Sequence, residues 1–183
     1  MEEQLIIKHC SPTLAGIKTG NLFSCSFESH DEMKLSICEL NQIFVKKGLR
    51  ALPLRYRNSR ALIYVFRPEF LRRDLRDDTA CSILHKEGYR CASAEHCVVQ
   101  LVNRLKEHES FPHEIGLFLG YPPEDVLGFI ENNASGYKCA GCWKVYGDEA
   151  AARCTFEKYK KCAEIYYRQW EKGKSIKELT MVA

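Results

Sequence analysis

Five consecutive apolar residues, Leu62-Ile63-Tyr64-Val65-Phe66, lie inside the run from Arg60 to Arg67. A strand sends successive side chains to opposite faces, so a strand that is apolar at every position must be covered on both. Asn58-Ser59 separates this run from Leu49 to Arg57, and the pair reads as a hairpin. Pro53 cannot donate to a ladder, which puts the first strand at an edge or a bulge and leaves the second central.

The rest of the chain reads as cover for that sheet. Gln4 to Lys8 is a short apolar run and predicts a first strand, whereas Ser11 to Phe27, punctuated by Pro12, Gly16 and Gly20, predicts irregular chain. Ser29-His30-Asp31-Glu32 is a capping box, and Met33, Ile37, Leu40 and Phe44 follow it at helical spacing until Gly48. Pro68 starts a short helix whose charges (Arg72, Arg73, Asp74, Arg76, Asp77 and Asp78) alternate in sign and read as a solvated face. A second helix stops at Gly88. Another, capped by Ser93, runs from Ala94 to His108 with Val98, Leu101 and Leu105 inward. Glu114 to Leu119 predicts a strand, and Pro122-Pro123-Glu124-Asp125 opens a helix with proline in the first turn and acids at the positive end of the dipole. Trp143 to Tyr146 is a short strand. Asp148 caps the longest helix, where Ala152, Phe156, Tyr159, Ala163, Tyr166 and Trp170 form one apolar stripe that ends at Gly173. Ser175-Ile176-Lys177-Glu178 caps a last turn. The expectation is one α+β domain over residues 1–183: a mixed sheet of about five strands covered by helices, with a long C-terminal helix. A three-layer α/β arrangement is the alternative.

A chain of 183 residues buries a sufficient core without staples. Its net charge of +3 is too mild to imply nucleic acid, which calls for a clustered basic face. No stretch reaches the roughly 18 apolar residues of a bilayer span. Met1-Glu2-Glu3-Gln4 is acidic where a signal peptide is basic. These features predict a cytoplasmic protein without a membrane partner. Its ten cysteines then read as reduced thiols, most of them small buried hydrophobes.

Two of these cysteines stand apart in Lys138-Cys139-Ala140-Gly141-Cys142-Trp143-Lys144. The surroundings of Cys142 resemble a papain-type nucleophile, but all six histidines lie upstream and only 41 residues follow. A different Cys–His arrangement, with His113 or His9 as base, stays open because the base needs only spatial proximity. A thioredoxin-like pair would open a helix, whereas here it precedes a strand and the next helix starts near Asp148. Cys139 and Cys142 are also half of a zinc or iron site whose other half is not apparent in the sequence. The structural alternative is a tight turn with Trp143 packed in the core.

Two further stretches are candidates. In Phe111 to Val126, a glycine-ended strand before a proline-started helix is a common ligand position, with His113 and Glu114 as acid–base candidates and Tyr121 and Asp125 as binding candidates. The plain reading is a strand, a turn and a helix. In Leu14 to Phe23, Lys18 between two glycines is an anion-binding candidate with Asn21 nearby, but the spacing is not that of a phosphate loop. Trp143 and Lys144 complete the candidate ligand-binding set. The aromatic residues of the last long helix are better explained as core than as a nucleic-acid platform.

The residues that carry a resemblance are Leu14-Ala15-Gly16-Ile17-Lys18 with Asn21-Leu22-Phe23, Glu114-Ile115-Gly116 through Gly120-Tyr121-Pro122 with Asp125-Val126, Cys139 through Tyr146, and Tyr159-Lys160-Lys161-Cys162. Over nearly its whole length the chain resembles the family of domain of unknown function 3793, found mainly in anaerobic Gram-positive bacteria. The resemblance implies a link to iron or redox physiology and assigns no activity. The functional expectation is an accessory or interaction protein with a thiol-rich site and a protein partner. A thiol-dependent enzyme using Cys142 is the first alternative and a weak nucleic-acid binder the second.

Overall fold

The structure, a computed structural model, describes residues 3–107 and 111–182. Its elements in chain order are α1 (Glu3–Leu14), β1 (Gly20–Ser26), α2 (His30–Phe44), β2 (Arg50–Arg57), β3 (Arg60–Phe66), α3 (Pro68–Asp74), α4 (Asp78–Lys86), α5 (Ala94–Glu107), α6 (Ile115–Phe118), α7 (Pro123–Glu131), β4 (Cys139–Ala140), β5 (Lys144–Val145), α8 (Glu149–Glu171) and α9 (Ile176–Leu179). A 3-10 turn, Val45–Lys47, extends α2 to Gly48, which takes the left-handed conformation. The expected helix over Ala94 to His108 is α5, and its last residue, His108, lies outside the described residues.

The hairpin forms as expected. Asn58 and Ser59 both take positive φ, the geometry of a two-residue turn that matches strand twist. β3 is central in the order β1-β3-β2, and Pro53 sits on an edge strand beside a register shift. Ala61, Ile63 and Val65 face a cluster built with α1, α2 and α9, while Tyr64 and Phe66 face another built with α3 to α7. Helices therefore cover both faces of an antiparallel sheet.

The sheet is smaller than expected. It has three strands, all antiparallel, and β4 and β5 form a separate two-stranded ribbon. The strand predicted over Gln4 to Lys8 is part of α1. Ile6, Ile7, Cys10 and Leu14 are each at most 1% exposed and lie on one helical face, a period that five residues do not reveal. The strand predicted over Glu114 to Leu119 is the single turn α6. Every residue in it is buried, and a run buried on all sides carries no period. Conversely, β1 emerges from chain read as irregular. Gly20 marks its start because Tyr64 and the Phe118 carbonyl leave no room for a Cβ, at 2.6 and 3.0 Å.

Arg67, 1% exposed, fastens the two ends of the chain to β3. It donates to the carbonyls of Thr13, Leu14 and Met181 at 2.8–2.9 Å and to that of Lys47 at 3.3 Å. The negative end of α1 thus takes the place of a carboxylate. Among the described residues no helix is long and apolar enough to cross a membrane.

Candidate functional site

Three stretches separated in sequence meet at one place: the α1–β1 connection with Lys18, the α6–α7 turn with Tyr121, and the β4–β5 ribbon with Cys142. Asp125 holds the ribbon. It sits in the first turn of α7, 3% exposed, and accepts from Trp143 Nε1, Tyr146 N and Gly147 N, each at 2.7 Å. Tyr121 donates to the Cys142 carbonyl at 3.1 Å and stacks on Trp143, 4.8 Å between centroids. Gly141 and Gly128 allow the close fit, since a Cβ on either would lie 2.3–2.4 Å from the Phe156 or Tyr146 ring. Asp125 and Trp143 thus act in shaping the site, as neighbours bonded to each other.

The ribbon separates its cysteines. Cys139 is buried against Val145 and Ala152, whereas Cys142 is exposed at the turn. Partial burial pushes the Cys142 thiol up, and Lys18 opposes that shift. No histidine pairs with it among the described residues: His113 stands edge-on to Phe129 and His9 stacks on Phe23. Also among the described residues, no group of three or more His, Cys, Asp and Glu side chains is placed to hold a metal.

Lys18 is the unusual side chain. It is 6% exposed, and among the described residues its ammonium has no hydrogen bond or ion pair. Instead it lies over the rings of Tyr121 and Tyr159, 5.2 and 5.7 Å from their centroids. Burial pulls its pKa down to about 8, against the opposing pull of the Cys142 and Cys10 thiols. Burial likewise pushes the Tyr121 and Tyr159 hydroxyls up to about 12.

Lys18 lines a cavity of about 520 Å³ between the α1–β1 connection, α3 and α8, together with Thr19, Arg73, Asp74, Asp77, Gly120, Tyr121 and Tyr159. Gly120, at φ 73°, lets that turn close onto Thr19, whose hydroxyl donates to Asp74. On the other side of Tyr121 lies an apolar cavity of about 460 Å³, walled by Ile115, Leu119, Val126, Phe129 and Trp143. Its polar groups are largely committed: Asp125 and Trp143 bond within the fold, and Lys144 donates to the Ala134 carbonyl at 2.7 Å. The polar cavity is the better site because its buried cation is unpaired.

The remaining candidates are placed in the framework. Glu114, 2% exposed, accepts from the Tyr89 hydroxyl at 2.9 Å and lies 3.6 Å from Arg104. Asn21 accepts from the Thr13 hydroxyl at 2.7 Å. Asp77 and Tyr159 line the polar cavity, although their spacing in the sequence points to a solvated face and to core. The exposed side of α8 mixes Glu157, Glu164 and Glu171 with Lys158, Lys160, Lys161 and Arg168, so it offers no continuous basic face.

A family model described as "Protein of unknown function (DUF3793)" matches residues 6–180. No curated protein and no solved structure matches the chain.

Proposed function

The chain belongs to the DUF3793 family, whose description assigns no activity, and from that premise we propose a function from the site itself: the protein binds a small acidic molecule in the cavity that Lys18 lines. The observation that carries this reading is a lysine 6% exposed with neither a hydrogen bond nor an ion pair among the described residues. With a pKa of about 8 its amine is mostly protonated at neutral pH. A buried charge without a counter-charge is costly, and a carboxylate or phosphate entering the cavity supplies one. The tyrosine rings flank the amine at 5.2 and 5.7 Å, and the low dielectric around a largely buried lysine strengthens that contact. Cys142 lies within electrostatic reach of Lys18, and the thiol-rich accessory role expected from the sequence remains a proposal. The link to iron or redox physiology rests on the family resemblance.

Calorimetry with acetate, succinate and inorganic phosphate tests the proposal. At least one should bind, and Lys18→Met, which keeps the apolar stem, should weaken it by about a hundredfold or more. Unchanged binding by the variant, or no binding by the native protein, contradicts it.

A second reading makes Cys142 a nucleophile with Lys18 as its base. It is favoured by the electrostatic coupling of the two groups and by the lowered Lys18 pKa, which leaves a neutral fraction able to take the thiol proton. Under this reading iodoacetamide should modify Cys142 with a rate that Lys18→Met lowers. Under the first, Cys142→Ala should leave binding intact.

A further inference from the structure

We infer that the ligand of the Lys18 cavity is a zwitterionic amino acid, held with its carboxylate inward on Lys18 and its ammonium outward on Asp77. This rests on the acidic-ligand reading above and specifies its chemistry. Four charged side chains line the cavity: Lys18, Arg73, Asp74 and Asp77. Two of them cancel. Arg73 grips Asp74 Oδ1 with Nε at 2.9 Å and Nη2 at 2.8 Å, and the second Asp74 oxygen accepts from the Thr19 hydroxyl. Arg73 is further occupied by the Phe70 ring, 4.9 Å away.

The two charges left uncompensated are of opposite sign and lie at different depths. Lys18 is buried and Asp77 is exposed, so the positive end is the base of the cavity and the negative end its mouth. Asp77 caps α4 through Oδ1, which accepts from Thr79 N at 2.9 Å and Ala80 N at 3.0 Å. Among the described residues it has no ion-pair partner, and its other oxygen is free for a cation. A dianion would place its second charge toward Asp77 and be repelled, whereas a molecule carrying both signs satisfies both ends. A volume of about 520 Å³ leaves room for a side chain between Tyr121, Tyr159 and Pro122.

The test is a thermal-shift series on the full chain with the twenty common amino acids, β-alanine, 4-aminobutyrate, acetate and succinate. Calorimetry then compares the best amino acid with the same molecule lacking its amine, on the native protein and on Asp77→Asn. Asparagine caps a helix as well as aspartate does, so this variant removes the charge and keeps the fold. The expected result is an amino acid that binds about tenfold tighter than its amine-free counterpart, a difference that Asp77→Asn removes. Equal binding of the two by the native protein overturns the zwitterion and leaves the acidic-ligand reading standing. Full discrimination retained by Asp77→Asn overturns it in the same way. If no carboxylate of either kind binds, the zwitterion falls, and if inorganic phosphate does not bind either, the acidic-ligand reading falls with it.

Discussion

Burying an amine disfavours its charged form, and the penalty appears as a lowered pKa. In Lys18 the folded value is about 8 against 10.5 for the free side chain. Between those values the unfolded chain binds more protons than the folded one, so stability contributed by this group rises with pH across the window. It is lowest below pH 8, where the folded protein carries the full cost of the buried charge. Urea unfolding from pH 7 to 10.5 should therefore show a rise in native protein that is missing in Lys18→Met, a difference of at most about 3 kcal/mol. Identical pH profiles contradict a buried, uncompensated Lys18. The glycine neighbours of Lys18 mark it in the sequence as an anion-binding candidate. They do not reveal its burial, because Tyr121 and Tyr159 reach the amine from positions more than a hundred residues away.

At the scale of elements, the capping residues and the β2–β3 turn were legible because their signals are local. Ser29, Asp148 and Ser175 cap the helices that the sequence led one to expect, and Asn58-Ser59 turns the hairpin. The α1 and α6 segments were not legible, since a short apolar run reads the same in a buried helix and a strand. The β4–β5 ribbon is a different case. Only four residues pair in it, so its position depends on Asp125 more than on its own ladder. The position of Asp125 in a first helical turn does not reveal this role, because its three donors lie 18–22 residues later. Asp125→Ala leaves those donors without their acceptor and should cost about 3 kcal/mol. It should also red-shift Trp143 emission as the ribbon loosens. A loss below about 0.5 kcal/mol with unchanged emission contradicts the anchoring role.

For the whole molecule, the two-sided sheet followed from β3 being apolar on both faces, and that requirement places α1 and α8 on one side and α3 to α7 on the other. The polar cavity lies where these layers meet: Lys18 comes from the chain leaving α1, Asp77 from the cap of α4, Tyr121 from the turn before α7 and Tyr159 from α8. No single segment contains the site, which is why motif spacing alone did not reveal it. On the proposed reading, this meeting point holds a cation awaiting an anion. Nuclear magnetic resonance titration of the Lys18 side chain, with and without acetate or the best-binding carboxylate, tests it most directly. The expected result is a midpoint near pH 8 in the free protein and an upward shift when the carboxylate binds, because an adjacent negative charge favours the protonated amine. An ordinary midpoint near 10.5 that no carboxylate moves would contradict it.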